Sequence, residues 1–329
     1  MKNAVMKACG MAVPQRVVTN TWMNDQLGED VDTWLREHVE IYERRWLGKG
    51  ESTADLCVAA ARQTLEKASV RAEQLDLIII ATDTPEYISP STASVVQDRL
   101  GASRAGTFDL NTACAGFVTA LDVGAKYIIA DHQYTNVLIV GAYGMSKYLN
   151  LQDKKTVTLF GDGAGAALLC RSSSEDRGFM VSELQTQGQY SSWMGIYAGG
   201  TREPITPEAI EGHRHQLQFV KKFPPELNPE QWSAATLRLC ERAGVTPDDI
   251  DQFFITQINV NSIRQTMDIL HQPHTKAHTI MHRYGYTGSA CIPMALNDAF
   301  EKGIVRPGNL VAFLGSGGGL AFASALFRL

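Results

Sequence analysis

Among 329 residues no uninterrupted apolar run reaches the ~18 that would cross a bilayer, which argues against a membrane partner. Met1-Lys2-Asn3-Ala4-Val5 runs straight into a strand-like pattern without the features of a signal peptide, so a cytoplasmic protein is expected. An excess of positive charge is also missing. With 30 Lys and Arg against 35 Asp and Glu the net charge is −5, which excludes a nucleic-acid binder held by phosphate contacts. The six cysteines (9, 57, 114, 170, 240 and 291) lie mostly in apolar patterns and never at CxxC spacing. That excludes a disulfide framework and a zinc site, and fits a reducing compartment. GxGxxG is absent as well. Gly161-Asp162-Gly163-Ala164-Gly165 is a Gly-rich turn without that spacing or a strand-to-helix switch, so a dinucleotide site is not expected.

What is present is an alternation of strands and helices. Met6 to Val18 reads as a strand pair broken at Gly10 and Pro14, and Trp34 to Arg45 as an irregular polar and aromatic flap. Ser52-Thr53 caps a helix to Ala68 with an apolar face at Leu56, Ala59, Ala60 and Leu65. Leu75 to Ala81 is wholly apolar, as in a strand covered on both faces, and Thr82 to Glu86 leaves it as a loop. Thr92 to Leu100 is helical, and Asn136 to Val140 is a further buried strand.

Between them, Thr107 to Leu110 ends a strand and Asn111-Thr112-Ala113-Cys114-Ala115 turns into a helix carrying Phe117, Ala120, Leu121 and Tyr127. Cys114 therefore stands at a helix N-terminus, where free N–H groups and the dipole favour a thiolate, in the strand–nucleophile–helix geometry of hydrolases. A small buried hydrophobe is the bland alternative.

The second half repeats the first at an offset of 175 residues. Ala68, Val70, Asp76, Ile80 and Thr112 recur as Ala243, Val245, Asp251, Ile255 and Thr287, and the Cys114 turn answers to Thr287-Gly288-Ser289-Ala290. Copies this long are fused domains and not solenoid repeats. Two α/β halves are expected, residues 1–175 and 176–329, with a site between them. The nucleophile survives in one copy only, which favours catalysis over mere packing.

At these residues the chain resembles the β-ketoacyl-acyl-carrier-protein synthase III family of thiolase-fold condensing enzymes. The likeness runs from Val13 to the C-terminus, and Asn111–Phe117, Phe160–Ala166 and Gly315–Leu320 carry it most specifically. It implies an α/β thiolase-like fold of two duplicated halves, layered α-β-α-β-α. It also implies an acyl-Cys114 intermediate taken from an acyl-CoA, then condensed with a carbanion from malonyl on acyl-carrier protein. The backbones of Cys114 and Gly318 match the family's oxyanion donors. Gly317-Gly318-Gly319 also reads as a strand-ending turn, and both readings can hold. No cofactor is implied, because coenzyme A enters as a thioester substrate. A homodimer is implied, and an apolar strand at Asn136 to Val140 with an open edge would support one.

The chain also departs from the family. The family's His-Gln-Ala-Asn reads Thr256-Gln257-Ile258-Asn259, and Tyr-Gly-Asn-Thr reads Tyr284-Gly285-Tyr286-Thr287. Thr256 can donate one hydrogen bond but cannot serve as a base as histidine can. Gln257 offers an amide donor if the loop shifts by one. Tyr286 is either a phenolic donor to a thioester carbonyl or an aromatic plug. His213, His215, His278 and His282 read as solvated surface. Asp83 and Glu86 leave the first-half strand near the Cys114 mouth, and Asp83 matches an acid/base glutamate of non-decarboxylating relatives, against a turn-capping role. On the coenzyme A side, Trp34 matches an adenine-stacking tryptophan and Asn259 a site position. The companion arginine is His38, and a carrier-docking arginine is Asn261, with Arg264 a turn away.

Two other functions compete: an acyltransferase or thioesterase-type relative that stops at acyl-Cys114 and transfers to a non-carbon acceptor, and a non-catalytic partner subunit.

Overall fold

The computed structural model describes residues 3–173 and 176–329. The strands of its two central sheets are numbered β1 to β9. The first sheet is built from β1 (Asn3–Ala12), β2 (Leu77–Ala81), β3 (Gly106–Leu110), β4 (Asn136–Tyr143) and β5 (Gly163–Ser172), in the order β1-β5-β4-β2-β3. The second is built from β6 (Gly178–Thr186), β7 (Gln252–Ile255), β8 (Leu310–Gly317) and β9 (Ala321–Arg328), in the order β7-β8-β9-β6. The longer helices are α1 (Thr53–Ala68), α2 (Thr92–Leu100), α3 (Gly116–Ala130), α4 (Leu227–Ala243), α5 (Val260–Ile269) and α6 (Cys291–Glu301). The expected junction at 175/176 adjoins residue 175, outside the described residues.

The 175-residue offset is written into the architecture. β1 and β6 begin at 3 and 178, β2 and β7 at 77 and 252, and α3 and α6 at 116 and 291. In each half the parallel pair is tied by the repeated aspartate. Asp76 accepts from the backbone of Thr135 and Asn136 at the start of β4, and Asp251 accepts from Leu310 at the start of β8. Helices α3 and α6 pack between the sheets, with α1 outside the first and α4 outside the second. This is the α-β-α-β-α layering expected. Apolar strands such as β2, buried along its whole length, follow from a sheet covered on both faces.

Four local expectations change. Gly10 does not break a strand. It lies within β1, where a Cβ would stand 2.8 Å from the Ala60 carbonyl and the Thr64 hydroxyl of α1, so glycine permits the close approach. β1 pairs with β5, and Arg16–Thr19 pairs instead with Glu43–Trp46, inside the segment expected to be an irregular flap. β4 lies between β5 and β2, so it has no open edge; the edge strands of the sheet are β1 and β3. Finally, Ala113–Ala130 is long and apolar enough for a membrane span, because Asp122 and Lys126 do not offset its apolar residues. It is two-thirds buried as the core helix between the sheets.

Candidate active site

The elbow at the end of β3 forms as its residue types dictate. The Asn111 side chain accepts from the Ala113 N–H at 2.9 Å, and Ala113 is held at φ +46°, a conformation an L-residue rarely adopts. α3 starts two residues after Cys114. Strand β8 closes over the elbow from the other half. A Cβ on Gly317 would come within 2.5 Å of the Cys114 nitrogen and the Thr112 carbonyl, so only glycine fits.

Cys114 lies at a cavity of about 220 Å³ that is mainly apolar. Tyr286, Ser316, Gly317 and Gly318 line it beside the cysteine, and Ile258, Asn259 and Ser262 line it from the start of α5. The remaining wall comes from the connection between β6 and α4, including Met194, Phe219, Lys222 and Phe223, and from Asn228 in the first turn of α4. Sequence reasoning passed over this wall. The aromatic and proline cluster Phe219…Phe223-Pro224-Pro225 was the available signal, but nothing local says which site it covers.

The thiol departs from expectation. Cys114 is 2% exposed, and burial pushes it well above the ordinary thiol range, with the Asp83 charge adding to the rise. A hydrogen bond from the Tyr286 hydroxyl works the other way. Desolvation of the charged form outweighs the helix terminus.

Tyr286 is fully buried, with its ring 5.4 Å from Phe160 and 6.5 Å from Tyr143. Its N–H donates to the Leu159 carbonyl at 2.8 Å, and its carbonyl accepts from Gly161 at 2.9 Å. Gly161 leaves room for the Tyr284 carbonyl, which a Cβ would strike. The Gly-rich turn thus seats the tyrosine loop. Asp162 braces it by accepting from Leu47 N–H (2.7 Å), Ser146 N–H (2.8 Å) and the Ser146 hydroxyl, and burial pushes its carboxyl up to about 6.

Thr256 and Gln257 do not reach the cavity. The Thr256 hydroxyl accepts from the Ser316 N–H at 2.9 Å, tying β7 to β8. The Gln257 amide accepts from Ile280 at 2.8 Å and donates to the His278 carbonyl at 3.2 Å. Both are braces: each is buried and its polar atoms are already engaged. Asn259 caps α5 and does line the cavity. His278 is not solvated surface either. Its ring lies 2.7 Å from Asp298 and is largely buried.

Trp34 is 50% exposed, stacked on His38 with ring centroids 5.8 Å apart, and does not line the cavity. It neighbours the rim, since Asn261 donates to the His38 carbonyl at 3.0 Å. Arg264 pairs with Glu40 at 2.6 Å, which neutralises the cation nearest the position of the docking arginine. Glu86 accepts from the Ala54 N–H at 3.0 Å and faces Arg99 at 3.6 Å, a structural role. Asp83 has no such role: its Oδ1 is buried without a hydrogen-bond partner, and burial pushes its carboxyl up to about 6.

Comparison with known proteins bears on this geometry. The model of the 3-oxoacyl-(acyl-carrier-protein) synthase III family matches residues 108–188, and that of the family's C-terminal part matches 240–329. A β-ketoacyl-(acyl-carrier-protein) synthase III of Roseiflexus sp. (strain RS-1) is 38% identical, over 99% of this chain and 98% of that protein. One from Symbiobacterium thermophilum is 39% identical, over 97% of this chain and 96% of that protein. The crystal structure of a synthase III from Thermus thermophilus superposes with a TM-score of 0.90 at 31% identity, covering 99% of both chains. The fold is thiolase-like.

Proposed function

The chain belongs to the 3-oxoacyl-(acyl-carrier-protein) synthase III family of condensing enzymes, and from that membership we propose that it joins an acyl group held on Cys114 to a carbanion from a malonyl thioester. The observation that carries this is Cys114 itself, set on a strained elbow beside an apolar cavity with Gly317 pressed onto its backbone. In the first step the Cys114 sulfur attacks an acyl-CoA carbonyl. The backbone N–H groups of Cys114 and Gly318 stabilise the oxyanion, and coenzyme A leaves as its thiol. The apolar walls suit an acyl chain and a pantetheine arm, with Asn259 and Ser262 as polar contacts and Trp34 outside the rim for the adenine.

In the second step the malonyl thioester loses carbon dioxide, and the resulting carbanion attacks the acyl-Cys114 carbonyl. Tyr286 takes the donor role toward the malonyl thioester carbonyl. Its hydroxyl rests on the thiol in the free enzyme and is released once the sulfur is acylated, because a thioester sulfur is a poor acceptor. Thr256 and Gln257 support the site only through the backbones they brace. Acyl-carrier protein is the proposed carrier of the malonyl group. The protein acts in the cytoplasm as a homodimer, and the reaction calls for no bound cofactor.

Intact-mass spectrometry after mixing with straight-chain acyl-CoAs from acetyl to myristoyl tests the first step. An acyl adduct that Cys114→Ala abolishes is the expected result. Carbon dioxide release from a malonyl thioester tests the second. An adduct without that release would replace condensation with transfer to a non-carbon acceptor.

A further inference from the structure

Tyr286 hangs from a turn that the strand Glu43–Trp46 grips at several points. The Arg45 carbonyl accepts from the Asp162 N–H at 2.7 Å, and the Trp46 indole N–H donates to the Phe160 carbonyl at 2.9 Å. Just before the strand, the Tyr42 N–H donates to the His282 carbonyl at 3.1 Å. These bonds need only a backbone or a neutral side chain. The fourth grip is a charge. Arg44 is 0% exposed, and its guanidinium donates to the Val18 carbonyl at 3.2 Å and to the Thr158 carbonyl at 2.7 Å. Its Nε is buried without a partner. The carboxylates that act on it from a distance are engaged elsewhere, Glu43 with Arg45 at 3.5 Å and Asp32 with Arg36 at 2.7 Å.

A buried cation whose neighbouring carboxylates are paired with other groups costs stability, so its retention calls for a reason beyond packing. Its position supplies one. A Cβ on Gly161 would stand 3.1 Å from the Arg44 Cβ, and a Cβ on Gly285 2.9 Å from it. Gly285 immediately precedes Tyr286, and the Gly161 N–H holds the Tyr286 carbonyl, so the arginine stem packs against the backbone that carries the tyrosine. Thr158, which accepts from Nη2, ends the short helix Lys154–Val157, where a carbonyl is left free for a side chain to take. The next residue, Leu159, accepts the Tyr286 N–H. A guanidinium on such a carbonyl makes a charge-assisted bond, stronger than a neutral donor would.

We propose that Arg44 is a positioning residue for the condensation step: its fork of donors fixes the 158–161 turn, and the turn holds the Tyr286 hydroxyl where the malonyl thioester carbonyl arrives. This deepens the reading of Tyr286 as the donor and rests on it. Arg44 does not line the cavity, so it acts through Tyr286 and not on the substrate. The path is short and bonded throughout. It runs from Arg44 Nη2 to the Thr158 carbonyl, one residue along the chain to the Leu159 carbonyl, and from there to the Tyr286 N–H. A donor that must meet a developing oxyanion tolerates little displacement. Acylation depends on other parts, the N–H groups of Cys114 and Gly318, which the 158–161 turn does not carry. The two steps therefore respond differently to loss of the guanidinium. Lysine is not equivalent, because an ammonium is a point charge without the planar fork that spans two carbonyls.

The test is a double-mutant cycle on the whole chain, with Arg44→Met, Tyr286→Phe and the pair. Two rates are read on each protein. One is acylation of Cys114 by the shortest acyl-CoA of the acetyl-to-myristoyl panel that labels wild type. The other is carbon dioxide release from malonyl-acyl-carrier protein by the acylated enzyme. Arg44→Met should lower that release by up to ~10²-fold, the cost of displacing a reacting group by about an ångström, and leave acylation near the wild-type rate. In the Tyr286→Phe background it should lower release no further, because the hydroxyl it positions is gone. Arg44→Lys keeps the stem and the charge, and carries the test should Arg44→Met not fold. It should lose less, and its loss should also vanish beside Tyr286→Phe. Either folded variant releasing carbon dioxide as wild type does overturns the proposal. So does an equal fall of acylation and release, or the same fall with and without the Tyr286 hydroxyl, the marks of a general loosening of the fold. Tyr286→Phe that itself releases as wild type does overturns the donor reading, and this step falls with it.

Discussion

The Tyr286 hydroxyl is hydrogen-bonded to the Cys114 thiol, which brings together one residue from each of the duplicated halves. The contact depends on parts distant in sequence. The Tyr286 backbone is clamped by Leu159 and Gly161, and the elbow is covered by Gly317. Tyr286 and Cys114 both line the cavity. The aromatic filling and the donor are thus the same side chain.

Tyr286→Phe keeps the ring and removes the donor. Acylation of Cys114 should slow about fivefold, the worth of one net hydrogen bond of ~1 kcal/mol to the attacking sulfur. Carbon dioxide release should fall much further, by ~10²–10³, because that charge develops only in the second step. Rapid-quench mass spectrometry and a carbon dioxide assay on one preparation separate the two. Equal, small losses in both would make the side chain a plug.

Iodoacetamide should modify Cys114 slowly near neutral pH. Its thiol is held well above the ordinary range by burial and by Asp83, so the thiolate fraction rises about tenfold per pH unit between 7 and 9. Peptide mapping of the native protein after timed alkylation measures this. A rate already at its plateau at pH 7 would show that the helix terminus wins over desolvation.

Much of this was legible because it is local. The wholly apolar 77–81 segment, the Ser52 capping box with Asp55, and helix Thr92–Leu100 are each set by neighbours a few residues apart. The elbow was legible for the same reason: Asn111, Ala113 and Cys114 make the turn among themselves. What failed is non-local. The thiol was expected to be acidic from its helix position, but its burial comes in part from β8, some 200 residues on. Thr256 was expected to face substrate, yet its hydroxyl is taken by Ser316, 60 residues away in sequence. β4 was given an open edge because pairing order cannot be read from an apolar strand alone. The Thr256-Gln257 stretch illustrates the same limit, since a sequence position tells where a side chain starts and not what it bonds.

Thr256→Val removes the acceptor for the buried Ser316 N–H while keeping the shape. Thermal unfolding should show a loss of roughly 1–3 kcal/mol, the cost of an unpaired buried donor. Acylation should change far less than with Tyr286→Phe, because the hydroxyl is not at the cavity. A larger effect on carbon dioxide release than on stability would return Thr256 to the carbonyl clamp.

Sedimentation at micromolar concentration should give a dimer. β3 is one of the two edge strands of the first sheet, and the nearby loop exposes Tyr87 (53%) and Ile88 (86%). An apolar side chain left that bare asks for a cover. Ile88→Asp should shift the protein toward monomer, and an unchanged dimer would place the interface elsewhere.

The last expectation concerns stability and pH. The Asp83 carboxyl lies at about 6 in the folded chain against an ordinary 3.8, so folding favours its protonated form. That contribution is complete below pH ~4 and is lost as pH rises through about 6, above which the fold carries a desolvated carboxylate whose Oδ1 has no partner. Asn at this position does not titrate. The stability of Asp83→Asn relative to wild type should therefore grow from pH 4 to pH 6.5 and then level off. The gain should be on the order of 3 kcal/mol, from about two pK units at ~1.4 kcal/mol each. Asp162, also pushed up to about 6, titrates alike in both proteins and cancels in the difference. Urea unfolding at a series of pH values measures it directly. A flat difference across that range would mean that Asp83 finds a compensating partner once it is ionised.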